Sequence, residues 1–92
     1  MEQKVIVNGV EYELIDNKDD AFYEEEFIEK YTDYFCDYDY VVGDYAYNKL
    51  RLKGFNDGDN PKVNKVNNIK GLDYYLKNHC AYGCKYFVLK KQ

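Results

Sequence analysis

The strongest constraint on the fold lies near the C-terminus, in Tyr86-Phe87-Val88-Leu89. The segment from Cys84 to Lys90 reads as a strand that is apolar on both faces through these four residues. A strand buried on both sides belongs in the middle of a sheet, not at its edge. The rest of the chain must therefore supply strands to either side of it. With 92 residues, a chain of this size buries only about 60–65% of the surface its unfolded form exposes. That leaves room for one core and one domain.

The remaining elements follow from periodicity and turn chemistry. Val5-Ile6-Val7, Asn8-Gly9 and Val10 to Ile15 read as a β-hairpin, because Asn-Gly supplies the two positive-φ positions of a type I′ turn. Asp16 to Asp20 is a polar connector, and Asp19 or Asp20 is placed to cap a helix running to about Phe35. Glu24, Glu25 and Glu26 suit the first turns of that helix, where the macrodipole favours carboxylates. Phe27, Ile28, Tyr31, Tyr34 and Phe35 recur at helical spacing as its buried stripe.

Tyr38 to Val42 is expected as a strand, Gly43 to Tyr47 as a loop, and Asn48 to Phe55 as the returning strand. Asn56-Asp57-Gly58-Asp59-Asn60-Pro61 breaks the chain, and Lys62 to Asn67 reads as an irregular edge strand. Asn67 or Asn68 caps a second helix with Ile69, Leu72, Leu76 and Cys80 on one face, Gly71 inside it and Gly83 ending it. The order is β-β-α-β-β-α-β: a single small α+β domain over residues 1–92 with an antiparallel or mixed sheet and two helices.

Alternation in the central hairpin puts Leu50 and Leu52 on one face and Lys49, Arg51 and Lys53 on the other. A five-residue loop predicts the pairs Tyr40–Leu50 and Tyr38–Leu52. The same register sets Asp39 opposite Arg51 and Asp37 opposite Lys53, making a ladder of ion pairs worth about 0.2–1 kcal/mol each. Without that neutralisation the three cations and the nearby tyrosines would resemble a nucleic-acid stripe.

Charge is unevenly placed along the chain. Residues 1–45 hold 3 Lys/Arg against 14 Asp/Glu, a net of −11, and residues 46–92 hold 10 against 3, a net of +7. The split marks either a basic face for an anionic partner or two halves that neutralise each other.

Chemistry-bearing motifs are sparse. Cys80-x-x-x-Cys84 is not the Cys-x-x-Cys of zinc knuckles or thioredoxins, and Cys36 would have to complete a metal site. His79 and Cys80, adjacent on a helix, point in different directions and do not form a nucleophile–base pair. Asp57-Gly58-Asp59-Asn60 lacks the spaced ligands of a calcium loop. Phosphate-binding glycine loops and the H-E-x-x-H motif do not occur in the sequence. These features point away from an enzyme, a metal or a cofactor. The polar start Met1-Glu2-Gln3-Lys4, the short apolar runs and three cysteines suit a cytoplasmic protein without a membrane segment.

Tyr38-Asp39-Tyr40-Val41-Val42-Gly43-Asp44-Tyr45, followed by Asn48-Lys49-Leu50-Arg51-Leu52-Lys53-Gly54-Phe55, resembles the YutD-like family. The family pattern is Y-D-Y-[IV]-V-G-D-W and then Q-L-R-L-[KR]-G-F. Cys80-x-x-Gly83-Cys84-x-Tyr86-Phe87-Val88-Leu89 resembles its C-terminal signature, and Gly9-x-x-Tyr12 also fits. Tyr45 stands where the family usually has Trp, and Lys49 where it has Gln. The resemblance implies a small cytosolic protein of Gram-positive bacteria without an assigned biochemical function, and it transfers no catalytic residue. Some relatives carry a transcriptional-regulator label, which favours the nucleic-acid alternative.

The sequence therefore points to a non-enzymatic interaction module that contacts another protein. Its candidate binding residues are Gly43, Asp44, Tyr45 and Tyr47 of the loop, with Lys49, Arg51 and Lys53 of the flanking strand. Gly43 permits close backbone approach, Asp44 offers an acceptor, and the tyrosines resemble interface anchors. The alternative is an RNA- or DNA-binding module built on Lys49, Arg51 and Lys53.

Overall fold

The computed structural model describes residues 3–46, 49–79 and 85–92. Five strands form one fully antiparallel sheet in the order β1-β2-β5-β3-β4. They are β1 (Gln3–Val7), β2 (Val10–Lys18), β3 (Tyr40–Ala46), β4 (Lys49–Phe55) and β5 (Tyr86–Lys91). The strand apolar on both faces does lie centrally. β5 pairs with β2 on one side and β3 on the other, and Phe87, Val88 and Leu89 are all buried. Asn8 and Gly9 join β1 to β2 with φ of 50° and 80°, the left-handed pair that a type I′ turn requires.

Helix α1 is shorter than its periodicity suggests. It spans Glu24–Lys30, and a separate 3-10 turn follows at Asp33–Asp37. Tyr31 and Thr32 between them are extended. The break is set by Tyr31, whose hydroxyl meets that of Tyr12 at 2.8 Å inside the core. Phe27 and Tyr31 are accordingly buried, whereas Ile28 and Tyr34 of the expected stripe face solvent. Asp19 and Asp20 do not cap the helix. Both are left-handed, with φ of 56° and 53°, and turn the chain after β2, which runs through the expected connector as far as Lys18. Tyr23 occupies the cap position without a side-chain hydrogen bond.

At the second helix Asn68 does act as a cap, accepting a hydrogen bond from the Lys70 amide. The turn it caps is a short 3-10 segment, Ile69–Gly71, which leads into α2 (Leu72–His79). Gly71 thus precedes α2 instead of interrupting it. Residues 62–67 form turns and no strand, and one parallel bridge joins Asn56 to Asn68. Cys80, Gly83 and Cys84 lie outside the described residues.

The sheet has a core on each face. Under α1 and its own Phe27 lie Val5, Val7, Tyr12, Val41 and Phe87, with Leu50 and Leu89 beside them. Under α2 lie Tyr40, Val42, Phe55 and Val88, covered by Ile69, Leu72 and Tyr75. No helix among the described residues is long and apolar enough to cross a membrane.

Candidate functional site

The expected β3–β4 hairpin has a different register. Tyr40 pairs with Phe55, Gly43 with Leu52, Asp44 with Arg51 and Tyr45 with Leu50. Gly43 to Ala46 are strand, not loop. The shift from Tyr40–Leu50 to Tyr40–Phe55 is an odd number of residues, and an odd shift exchanges the faces of one strand relative to the other. Leu50 and Leu52 therefore join Val41 under α1, while Arg51, Lys53 and Phe55 share the α2 face with Val42 and Asp44. Sequence alternation could not distinguish these registers, because Tyr40, Val42 and Tyr45 are all apolar enough to face either core.

The ion-pair ladder through Asp37 and Asp39 is consequently absent. Arg51 instead binds Asp44 through two parallel hydrogen bonds of 3.0 Å, from Nε and Nη2. Asp44 is 1% exposed and the Arg51 side chain 42%, so a carboxylate held under α2 is neutralised by a guanidinium at the rim. The Asp44 bond raises the Arg51 pKa above its ordinary value. Among the described residues this is the ion pair that joins the acidic and basic halves of the chain.

The other expected contact residues are mostly built into the fold. A side chain at Gly43 would collide with the Phe87 ring. Tyr45 is half-buried; its hydroxyl donates to Glu26 at 2.9 Å and lies 3.2 Å from the Ala21 carbonyl. Burial, then the Glu26 carboxylate, pushes its pKa up to about 12, and the Lys85 ammonium lies 4.7 Å from its ring centroid. Tyr47 lies outside the described residues. Lys49 is exposed, and the Lys53 ammonium sits 5.1 Å from the Phe55 ring centroid and 5.7 Å from that of Tyr75.

Beyond the hairpin, Asp39 and Asn56 tie the end of the sheet to the following turn. One Asp39 carboxylate oxygen accepts from the Asp57 amide and from the Asn60 side chain, each at 2.9 Å. Asn56 Oδ1 accepts from the Asp39 amide and the Asn60 side chain, and the Tyr40 hydroxyl donates to Asp57. Burial pushes Asp39 up, but the Asn60 and Asp57 donors with Lys91 and Lys90 outweigh it and hold the carboxyl below its usual value. The Asn56–Pro61 stretch read as a break is thus a firmly bonded corner.

This corner closes one end of a groove that runs along the outer side of β4. On the α2 side a cavity of about 310 Å³ is lined by Lys53, Phe55, Lys65, Val66, Tyr74 and Tyr75. It shares Lys53 and Val66 with a second cavity of about 250 Å³, bounded also by Tyr34, Tyr38, Leu52 and Gly54. The Tyr34 and Tyr38 rings lie 5.5 Å apart, tilted by 50°, and bond through their hydroxyls at 2.9 Å. Tyr34, Val66 and Tyr74 are 66%, 70% and 72% exposed, so three of the large apolar side chains left in solvent gather on one groove. Exposed apolar groups clustered in a concavity mark contact surfaces more strongly than scattered ones.

Of the residues singled out in the sequence, Lys53 reaches this groove and Arg51 and Lys49 precede it on the same strand. Tyr34 and Tyr38 belong to the tyrosines expected near the basic strand as stacking platforms, although Tyr34 was also placed in the buried stripe of the first helix; Val66 and Tyr74 were missed. The break after Tyr31 that frees Tyr34 is not shown by a sequence pattern. Among the described residues no three of His, Cys, Asp and Glu stand close enough to hold a metal.

The model for the family described as "Putative antitoxin YutD-like" matches residues 6–90. The chain belongs to the YutD-like family. It is 45% identical over 87 residues to the protein of Bacillus subtilis (strain 168) described as "Putative antitoxin YutD", covering 95% of this chain and 96% of that one. The solution NMR structure of protein yutD from B. subtilis has a TM-score of 0.82 at 43% identity, covering 98% of this chain and 82% of that one. The described parts of the central and C-terminal segments that resemble the YutD-like pattern lie largely in β3, β4 and β5.

Proposed function

We propose that this YutD-like chain is a non-enzymatic, cytoplasmic module that works by binding another protein, in the manner the name of its B. subtilis relative suggests. An antitoxin of this kind would hold its toxin by contact and need no cofactor. The observation that carries the reading is the groove along β4, where Tyr34, Val66 and Tyr74 expose apolar surface beside Lys53 and Lys65. Tyrosines with a polar tip and a rigid ring are the side chains that anchor protein interfaces. The nucleic-acid alternative is weakened because Arg51 is committed to Asp44, and binding of that class rests on cations available to phosphates.

Affinity capture from a B. subtilis lysate, with and without nuclease, tests the proposal. A protein that survives nuclease, rebinds saturably when purified, and loses about 30-fold in affinity with Tyr74→Ala or Tyr34→Ala supports it. Co-purification of nucleic acid alone, lost on nuclease treatment, refutes it.

A further inference from the structure

We infer that the free edge of β4 is completed by an added strand, an extended segment of a partner protein in which apolar residues alternate with acidic ones. The inference rests on the protein-binding reading above and specifies what the groove selects.

The direction of the backbone groups comes first. In an extended strand the N–H and C=O of one residue point to the same side, and successive residues alternate. The Lys91 amide donates to the Asp39 carbonyl at 2.8 Å, so Asp39 addresses β5, and by alternation so do Val41, Gly43 and Tyr45. Tyr40, Val42, Asp44 and Ala46 then address β4 through Phe55, Lys53, Arg51 and Lys49. Leu50, Leu52 and Gly54 are left to turn their backbone groups outward. Asn56 confirms the parity, since its N–H meets the Asn67 carbonyl at 2.6 Å and its C=O accepts from the Ile69 amide at 2.9 Å, both on the outer side. Before that bridge, no strand or loop among the described residues hydrogen-bonds the outer edge of β4.

The two faces of the edge differ in chemistry. On the α1 side an added strand would meet half-buried Leu52 and the Tyr34–Tyr38 pair. On the α2 side it would meet the ammonium groups of Lys49 and Lys53, in a groove that Lys65, Val66 and Tyr74 also line. Side chains of an added strand alternate between those faces, so apolar residues fit one side and carboxylates the other. Main-chain bonds would supply affinity and the alternate side chains specificity.

A second copy of this chain is the wrong occupant. Pairing β4 with itself antiparallel about Leu52 sets Arg51 opposite Lys53. Moving the register by two residues, which keeps the outward residues paired with each other, sets Lys49 opposite Lys53. Like charges directly opposite are destabilising, so the edge rejects its own sequence and suits an acidic one.

The test is amide hydrogen exchange by NMR on the full chain, with a blocked peptide of about seven residues alternating glutamate and valine as the probe. In the free protein the amides of Leu50 and Leu52 exchange fast, those of Arg51 and Lys53 are protected by β3, and Gly54 is buried under the Tyr38 ring. Millimolar peptide should slow the first two at least ~10-fold and leave those of Arg51 and Lys53 unchanged. A lysine–valine peptide should do nothing to wild type but should protect the Lys49→Glu/Lys53→Glu variant. Leu52→Pro removes an outward N–H and no ladder bond, and should abolish the effect. If that variant fails to fold, methylating alternate peptide nitrogens, in each of the two phases, makes the same cut from the other side, and one phase should lose all protection.

Protection that does not alternate, no protection at millimolar peptide, or displacement of the peptide by oligothymidylate would overturn the inference. A captured partner that binds wild type and Leu52→Pro equally would leave the protein-binding reading standing and remove the added strand. Alternating protection without any protein partner would do the reverse.

Discussion

Replacing Gly43 by alanine should cost about 2 kcal/mol of stability, because the glycine makes room for Phe87. An added Cβ would lie 2.1 Å from the ring Cζ and 2.4 Å from Cε2, where carbon atoms rest at about 3.5–4.0 Å. The ring has nowhere to retreat. Phe87 is fully buried, with the Phe22 ring 5.0 Å and the Phe27 ring 6.2 Å from its own. β3 is also fixed, being paired to β4 and β5 at once. Overpacking at such a site costs up to about 3 kcal/mol. Loss of unfolded-state freedom returns about 0.4–1 kcal/mol, which leaves the net near 2. In a domain of this size that lowers Tm by roughly 8–16 °C and the urea midpoint by about 0.7–2 M. The assay is urea unfolding of Gly43→Ala, Phe87→Leu and the double variant. Leucine lacks the atoms that collide, so the double variant should be more stable than the two single losses predict, by at least about 1 kcal/mol. Additive losses, or an unchanged midpoint for Gly43→Ala, would refute the steric argument and return Gly43 to the role of a contact residue.

Three further outcomes follow from the same structure. Arg51→Ala should cost more than Asp44→Ala, about 3 against about 1–2 kcal/mol. The first strands a fully buried carboxylate, whereas the second leaves a guanidinium already part-exposed to water; equal unfolding midpoints would contradict this. The depressed Asp39 carboxyl adds stability that is complete above the unfolded value of 3.8 and is lost as pH falls through its lower folded value. Asp39→Asn should therefore flatten the acid limb of the stability curve and leave its slope at pH 7 unchanged. Tyr40 and Tyr45, both raised by burial first and then by a carboxylate partner to about 12, stabilise the fold fully below pH 10 and lose that contribution as pH rises towards 12. Phenolate absorbance should appear later in the folded protein than in urea, and Tyr45→Phe should soften the alkaline unfolding; coincident titration curves would contradict both.

Much of the architecture was legible along the chain because it depends on local rules. Asn8-Gly9 demands a tight hairpin whatever lies around it. Tyr86 to Leu89 has no polar side to offer water, which forces β5 into the middle of the sheet. Asn68 caps a turn from its own side chain. The family resemblance was equally local, resting on runs of residues that fold into adjacent strands.

What only the tertiary structure decided were the choices between equally apolar faces and between partners distant in sequence. The register of β3 on β4 turned on whether Tyr40 or Tyr45 stood opposite Leu50, and in the folded sheet it is Tyr45. That one odd shift moved Asp44 to Arg51, left Asp39 to bind the turn at Asp57 and Asn60, and made structural residues of those expected at a surface. The Tyr12–Tyr31 contact ended α1 early and released Tyr34 to the groove. A sequence states which residues prefer to be buried or charged; which of them meet is fixed by how the sheet closes over its two cores.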